Sequence, residues 1–416
     1  MNKVRLKYLT KEPLQYGINI DATNYKGSGI RFLRTTDLND EGEIVGEGIY
    51  LDKENVPENY LLKKGDILFS RSGTIGRAYF HQTDEPMTYA GFLVRFRLVD
   101  VELAKWIYYY SKTPDFKYIL NSEAIESTIQ NFNGQKFNNI AIPINHLQLT
   151  INNYLDTQSQ KINHFIAKKQ QFIALLKEQR QSVINEAVTK GINKKVKLKD
   201  SGIKWLGNIP EHWEVRRLKN VCDIVLGKML CNEDKGEYQK KPYLKSKNIG
   251  WDNVIIDDVE VMWFSEKELI TYRIKRNDLL VSEGGEVGKT CIWKEELEEC
   301  YIQNSVHKLT MFENCNPEYY LYWMGMLGYI GHFKELVNQV SIAHLTKDKI
   351  VKVRCLYPPL SEQTQIVNHI KTETTTIDTA IAKAEREIEL IKEYKEAMIA
   401  EAVMGKVLEH DFKKIK

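Results

Sequence analysis

The stretch KGDILFSRSGTIGR at residues 64–77 returns as RNDLLVSEGGEVGK at residues 276–289. Both copies carry an aspartate, a serine and two glycines at an offset of 212 residues. The corresponding pairs are Asp66 and Asp278, Ser70 and Ser282, Gly73 and Gly285, and Gly76 and Gly288. Self-similarity at a fixed offset is the signature of a repeated structural unit. The sequence therefore predicts that one fold occurs twice in this chain.

Three further matches keep the same order along the chain. KINHFIAKK at 161–169 returns as TIDTAIAKA at 376–384, and LLKEQRQSVINEAVTKG at 175–191 returns as LIKEYKEAMIAEAVMGK at 390–406. The tripeptide RLK occurs at 5–7 and again at 217–219. We interpret the 416 residues as a tandem duplication of a unit about half that length.

Each unit divides into a globule and a helix. Short β-rich runs such as GDILFS, FLVRFRLV and NDLLVS alternate with Gly, Asn and Asp turns, which is typical of a mixed α/β domain. The stretches 146–190 and 361–405 have almost no Gly or Pro and predict one long helix each. We expect an α+β fold with globules at 1–145 and 201–355 and helical regions at 146–200 and 356–416.

Apolar residues of both long helices follow a heptad spacing. Such a seam predicts a coiled coil, and we expect the two helices to pair antiparallel, with a pseudo-two-fold axis between the globules. The alternative is that each helix lies on its own globule. The predicted seam consists of Ile151, Leu155, Ile162, Phe165, Phe172, Leu176 and Val183 in the first helix, and Ile366, Ile370, Ile377, Ile391 and Met398 in the second.

Composition excludes several classes of protein. The sequence has no apolar stretch of membrane-spanning length and no secretory h-region, so we expect a cytoplasmic protein without a membrane partner. All six cysteines lie in the second copy without a C-x-x-C pair, which indicates buried free thiols rather than a metal site.

No motif for catalysis is recognisable. GGEVGKT at 284–290 resembles a phosphate-binding loop but has one residue too few before its Gly-Lys pair. Asp66 and Asp278 each open a turn and are interpreted as structural. We therefore expect no catalytic residue, no metal and no cofactor in this chain, which points to a recognition or scaffold protein.

Two pairs of polar clusters are candidates for DNA contacts. Glycines in the repeated loop let the backbone approach a ligand, and its side chains can reach phosphates, although a tight hairpin that needs glycine only for its backbone explains the same pattern. The segments FLRTTDL at 32–38 and YLKSKNI at 243–249 offer groups that can hydrogen-bond base edges, with ordinary surface solvation as the alternative. The candidates are Arg34, Thr35, Thr36, Arg71, Ser72, Thr74, Arg77, Lys245, Ser246, Lys247, Asn248 and Lys289, with Gly73, Gly76, Gly285 and Gly288 as turn residues.

Charge is distributed unevenly along the chain. Lys and Arg number 18 against 18 Asp and Glu in residues 1–145, and 22 against 23 in residues 201–355. Residues 146–200 hold 10 cations against 4 anions, and residues 356–416 hold 9 against 11. Because neutralised phosphates supply most non-specific binding energy, binding to DNA requires that cations be segregated onto one face or that a partner contribute.

The chain resembles the specificity subunit of type I restriction-modification systems. The resemblance rests on SGIKWLGNIPEHWEVRRLK at 201–219, the repeated strand and turn, PPLSEQTQIV at 358–367, and the helix endings INEAVTKG and IAEAVMGK. It implies two target-recognition domains, each reading half of a split site in double-stranded DNA, with the coiled coil fixing the spacer. It also implies two modification subunits that bind S-adenosylmethionine and methylate adenine, and restriction subunits that use ATP and Mg.

Two departures from the family pattern concern the first copy. It lacks a counterpart of the SGIKWLGNIPEHWE leader, and it has PINHLQ at 143–148 where the second copy has PPLSEQ. These differences question whether the two partner-docking sites are equivalent. The other hypotheses are a coiled-coil scaffold whose globules bind proteins, and a fused enzyme with its own methylase or nuclease, which would need motifs that we do not recognise.

Overall fold

The computed structural model describes residues 2–124, 132–337 and 344–405. Contacts divide the chain into two units, Met1–Gln170 with Glu385–Lys416, and Gln171–Ala384. Each unit therefore contains one globule and parts of both long helices. This grouping cuts across the linear order of globule and helix.

The first unit begins with short strands and ends in a long helix. Its strands are β1 (Asn2–Arg5), β2 (Gln15–Tyr16), β3 (Ile30–Leu33), β4 (Ile49–Leu51), β5 (Asp66–Ser70), β6 (Ala78–Phe80), β7 (Met87–Tyr89), β8 (Leu93–Arg97) and β9 (Ala141–Ile144). Its helices are α1 (Val101–Ser111), α2 (Pro114–Ala124), α3 (Gly134–Asn139) and the first half of α4 (Gln148–Lys190).

The second unit repeats this strand order after one extra hairpin and adds a helix between its fourth and fifth repeated strands. Its strands are β10 (Leu198–Asp200), β11 (Asn208–Pro210), β12 (Glu214–Arg217), β13 (Cys222–Leu226), β14 (Gln239–Leu244), β15 (Glu260–Phe264), β16 (Leu279–Ser282), β17 (Thr290–Ile292), β18 (Tyr301–Ile302), β19 (Val306–Met311) and β20 (Arg354–Tyr357). Its helices are α5 (Glu266–Tyr272), α6 (Pro317–Tyr329), α7 (His332–Val337), α8 (Lys347–Ile350) and the first half of α9 (Leu360–Val403).

The sheets of the two globules have the same topology. A four-stranded sheet has the order β2-β8-β5-β6 in the first unit and β13-β19-β16-β17 in the second. A three-stranded sheet has the order β4-β3-β7 or β15-β14-β18, with one parallel pair in each. The strands β1 and β9 pair as do β12 and β20. The predicted duplication and the α+β fold class are confirmed.

The predicted strands form because they are apolar enough to be buried on both faces. Every residue of β5 is buried, and the Phe69 ring packs 5.2 Å from Phe137 and 5.6 Å from Phe116, measured between centroids. Each fully buried ring of this kind stabilises the fold by roughly 1.5–3 kcal/mol. Trp213 and Trp323 are fully buried in the second globule's core.

The two long helices pack antiparallel in each unit. In the first unit Lys395 donates to Asn163 at 2.8 Å, and Lys169 pairs with Glu387 at 2.5 Å, so partner numbers fall as residue numbers rise. In the second unit Arg180 pairs with Asp378 at 2.9 Å. The predicted antiparallel coiled coil is confirmed.

The predicted seam residues of α9 are buried or half-buried, whereas two of those in α4 are exposed. Ile366, Ile370, Ile377 and Met398 are buried and Ile391 is half-buried, whereas Phe165 and Phe172 are 40% and 45% exposed. In α4, Ile151, Leu155 and Ile162 are buried as predicted, and Leu176 and Val183 are half-buried.

The reason for the error is the period of the buried stripe in α4. Its buried isoleucines recur every 11 residues, at Ile151, Ile162, Ile173 and Ile184. An 11-residue repeat corresponds to about 3.67 residues per turn, whereas a heptad corresponds to 3.5. The buried face therefore leaves the heptad positions after Ile162 and reaches Ile173 instead of Phe172.

The leader and the PPLSEQ segment bind each other. Glu362 of that segment pairs with His212 at 2.7 Å and accepts the Trp213 indole N–H at 2.9 Å. Its neighbour Gln363 is fully buried and accepts the Asn316 backbone N–H at 2.7 Å. The first copy has Leu147 where the second has Glu362. The first copy therefore lacks the carboxylate that binds the leader in the second.

The cysteines match a further expectation. All six cysteines are buried and free, as predicted from their spacing. Within the three described ranges, no helix has an apolar stretch long enough to cross a membrane.

Candidate nucleic-acid interface

Four loops of the first globule meet at one end of its two sheets. The loop after β2 joins the loop after β7 through Ile18 N–H to Tyr89 O (3.0 Å). Ala90 N–H donates to Leu33 O (2.9 Å), and Arg71 N–H donates to Phe92 O (3.0 Å). The structure thus brings together the two predicted clusters, 34–36 and 71–77, and adds the loops 17–19 and 90–92. We call this set the first loop cluster.

The second globule builds the same arrangement. Lys228 N–H donates to Ile302 O (3.0 Å), Gln303 N–H donates to Leu244 O (3.0 Å), and Glu283 N–H donates to Ser305 O (2.8 Å). The loops 227–229, 245–248, 283–288 and 303–305 form this second loop cluster. The backbone is thus closely repeated, whereas the side chains differ.

The polar cluster after β3 folds as a 3-10 turn, and so does the polar cluster after β14. Asp37 accepts the Arg34 N–H at 2.8 Å, and Asn248 accepts the Lys245 N–H at 3.0 Å. Asn248 is 2% exposed, and its amide also donates to Ile255 O at 2.9 Å. The prediction that Asn248 contacts DNA is therefore wrong, because its polar atoms hold this turn together. Asp37, which is 5% exposed, has the same role.

The remaining cations of these turns lie near carboxylates. Arg34 forms two hydrogen bonds with Asp37, at 2.8 and 3.1 Å, and these bonds raise the pKa of the guanidinium. Lys245 pairs with Glu260, and this bond is the main reason that the pKa of Glu260 falls to about 2. Lys247 pairs with Asp258 at the surface. Thr35 and Ser246 are half-buried, whereas Thr36 is exposed.

The glycines of the repeated loop have two different roles. All four have positive φ: +71° at Gly73, +80° at Gly76, +69° at Gly285 and +83° at Gly288. A Cβ at position 76 or 288 would lie 2.0 Å from Leu120 or 2.3 Å from Phe333, whereas positions 73 and 285 face open space. The positive φ accounts for glycine at all four positions, and close packing adds a second reason at positions 76 and 288.

The loop cations are engaged to different degrees. Arg77 is 16% exposed, pairs with Asp40 and donates to Leu38 O at 2.5 Å, so it ties the loop to the chain after β3. The Arg71 guanidinium lies 4.8 Å from the centre of the Tyr16 ring. Lys289 pairs with Glu286 at 2.8 Å. Ser72 is half-buried, and Thr74 is exposed.

The sequence patterns did not predict two loops of each cluster: 17–19 and 90–92 in the first, and 227–229 and 303–305 in the second. Phe92 is 59% exposed at the tip between β7 and β8, and Met229 is 75% exposed after β13. Gln303 and Asn304 lie in the corresponding second tip. An apolar residue beside a strand is typical of a core, so no sequence pattern marked these residues as exposed. Only the pairing of β2 with β8, and of β13 with β19, places them beside the glycine loop.

A cavity of about 730 Å³ lies in the first unit between the globule and the helices. Lys112 lines it, donates to Glu41 O at 2.7 Å and lies 4.2 Å from the centre of the Tyr108 ring. Burial, reinforced by the nearby charge of Lys395, lowers the pKa of Lys112 to about 8.

We expect the first unit to become more stable as pH rises from about 8 to about 9.5. Between the folded pKa of Lys112, about 8, and its unfolded value near 10.4, the unfolded chain binds more protons, so the free energy of unfolding rises with pH. Lys112→Met should flatten this rise. Denaturant unfolding at several pH values, read from α1 and α2 by hydrogen exchange, measures it. The same slope in Lys112→Met and wild type would contradict the assignment.

Comparison with known proteins shows which family the chain matches. Residues 18–186 and 210–390 match the family model of the type I restriction modification DNA specificity domain. The putative type I restriction enzyme MjaX specificity subunit of Methanocaldococcus jannaschii is 28% identical over 225 residues, half of this chain and half of that protein. The EcoKI specificity subunit of Escherichia coli is 20% identical over 372 residues, 86% of this chain and 78% of that protein.

Solved structures agree in fold. The chain aligns with a protein from a study of complex assembly and conformational transition of the type I R-M system with a TM-score of 0.70, at 14% identity and over 97% of each chain. The HsdS subunit of Thermoanaerobacter tengcongensis aligns with a TM-score of 0.51 at 16% identity, over 98% of this chain and 97% of that one.

Each unit thus has a globule of the same sheet topology with a loop cluster at one end, and antiparallel packing of the two long helices. Both halves of the chain match the family model, so the chain belongs to the type I restriction modification DNA specificity domain family.

Proposed function

We propose that this chain is the DNA-recognition subunit of a type I restriction-modification complex. Its recognition domains, residues 1–145 and 201–355, each read one half of a split, asymmetric site in double-stranded DNA. The helical regions, 146–200 and 356–416, set the spacer between the halves. The chain itself is non-catalytic and acts in the cytoplasm.

One observation carries this proposal. The two loop clusters share backbone hydrogen bonds but differ in side chains. The first cluster has Arg34, Thr35 and Arg71. The second has Lys245, Ser246 and Glu283 at the corresponding positions. Sequence is read through hydrogen bonds and apolar contacts to base edges. Two copies of one scaffold with different side chains would read two different half-sites.

The catalytic steps belong to partners in this proposal. Two modification subunits bind S-adenosylmethionine, methylate adenine and dock on the helical regions. Restriction subunits with ATP and Mg join them. Membership in the specificity family supports these partners.

The second candidate is a scaffold whose globules bind proteins. The near-neutral globules, and the pairing of Lys245 and Lys247 with carboxylates, favour it. Duplex binding that weakens steeply with salt would favour DNA instead, because only displaced counterions produce that dependence.

Exchange of residues 1–145 for those of another family member tests the recognition role. We expect the methylated site to change in one half only, because each domain reads its half-site independently. Exchange of residues 201–355 is the matched control and should change the other half. Genome-wide mapping of methylated adenine in cells that carry the modification partner measures both. A change in both halves after either exchange would refute the division of labour.

A further inference from the structure

A surplus of positive charge lies in one short segment that joins α4 to β12. Residues 190–204 hold six lysines and one aspartate, a net charge of +5 in a chain whose total is +3. The segment lies between the end of α4 and β12, directly before the second copy. We call residues 190–210, which extend this segment through β11 without adding a charge, the basic hairpin. Its lysines are Lys190, Lys194, Lys195, Lys197, Lys199 and Lys204.

The structure leaves most of these charges open to solvent. β10 pairs with β11 as an isolated two-stranded sheet, and the five lysines from 194 to 204 are exposed. Lys194 lies 3.7 Å from Glu186, whereas Lys195, Lys197, Lys199 and Lys204 form no ion pair within the described ranges. Lys199 lies in β10, and Lys197 directly precedes that strand.

The basic hairpin lies close to the second loop cluster. The ring of Trp205, at the hairpin tip, lies 5.3 Å from His332 and 6.3 Å from Trp323 between centroids. His332 is the first residue of α7, and the next residue, Phe333, packs against Gly288 of the glycine loop. One short helix therefore contacts both the basic hairpin and the loop cluster.

We propose that the basic hairpin binds the phosphate backbone of DNA beside the half-site read by the second globule, without reading sequence. The inference rests on the proposed DNA-recognition role and names a surface that anchors the duplex. Lysine ammonium groups are flexible point charges that suit phosphates. The second globule, with 22 cations against 23 anions, has no surplus of its own to supply this attraction.

Protection of a sheet edge is the simplest competing role for lysines on a short strand. It accounts for Lys199, which lies in β10, but Lys194, Lys195 and Lys204 lie outside both strands. Asp200, the one acidic residue of the segment, accepts the Gly202 N–H at 2.9 Å and thereby shapes the turn. The charges extend beyond what edge protection requires.

The test compares two four-lysine variants of the full chain, each alone and together with a modification subunit. One variant carries Lys195→Gln, Lys197→Gln, Lys199→Gln and Lys204→Gln. The matched control carries Lys240→Gln, Lys267→Gln, Lys275→Gln and Lys294→Gln, four exposed lysines at the sheet ends away from the second loop cluster. Fluorescence anisotropy measures affinity for a duplex with the methylated site and for an unrelated duplex, between about 50 and 200 mM salt.

We expect the hairpin variant to bind both duplexes about 10- to 100-fold more weakly while their affinity ratio stays unchanged. The slope of log affinity against log salt should fall by about 2 to 4, since each phosphate contact contributes about 0.9. The control should match wild type. If the hairpin variant kept the wild-type slope and affinity, the hairpin proposal would be overturned. This holds even if that variant failed to bind the modification subunit. A wild-type chain without any preference between the duplexes would instead overturn the proposed function.

Discussion

Asp66→Asn should lower the free energy of unfolding of the first unit by about 3–5 kcal/mol, because it breaks a buried ion pair. Asp66 is 1% exposed and receives two hydrogen bonds of 2.8 Å from the Arg97 guanidinium. These bonds are the main reason that the pKa of Arg97 is raised. An asparagine would leave that guanidinium, which is 13% exposed, with Glu12 as its remaining acidic partner.

The equivalent change in the second unit should have a much smaller effect. Asp278 is also buried, but the residue across the strand pair is Thr310, whose hydroxyl donates at 2.6 Å. Burial raises the pKa of Asp278, so a neutral side chain suits this position better. Asp278→Asn should change stability by no more than about 1 kcal/mol, the size of one neutral hydrogen bond.

Hydrogen exchange in β5 and β16 under increasing denaturant measures the two units separately. Asp66→Asn should move the β5 transition to lower denaturant and leave that of β16 in place. Equal losses in both variants would mean that the partner across the strand pair does not decide the cost.

Gly288→Ala should destabilise the second unit by about 3 kcal/mol and disturb the glycine loop. The positive φ of +83° costs a non-glycine residue about 1–2 kcal/mol. The added Cβ would lie 2.3 Å from the Phe333 ring, which is 1% exposed, and such overpacking costs roughly 1–3 kcal/mol more.

Gly285→Ala is the control within the same loop. It has a similar φ of +69° but nothing within 4 Å of the added Cβ, so we expect a loss of about 1–2 kcal/mol. Thermal unfolding measures both variants, and duplex binding reports on the loop. If Gly285→Ala lost as much as Gly288→Ala, the contact with Phe333 would not be the cause.

Some features of the candidate site could be predicted from the sequence, and others could not. The repeated loop placed Gly73 and Gly285 at turns, and the structure gives them positive φ. The clusters at 34–36 and 245–248 do border the glycine loops. Residue type could not reveal that Asn248 is buried, because its partner is the carbonyl of Ile255 within a turn that a propensity does not define.

The duplication, the two long helices and the α+β class could all be predicted from the amino-acid sequence. Repeats, helical periodicity and strand composition depend on residues that are close together in the sequence, so they can be recognised without the tertiary structure. The heptad spacing also coincides with buried residues in α9. It coincides less well in α4, because the twist of a packed helix decides between a heptad and an 11-residue period.

Which polar side chains remain available for a ligand depends on contacts made in the folded chain. Arg77 reaches Leu38, and Asp66 reaches Arg97, across dozens of residues. The basic hairpin, in contrast, keeps its charges because few carboxylates fold against it. Buried polar groups need partners, and the fold alone supplies those partners from distant parts of the chain.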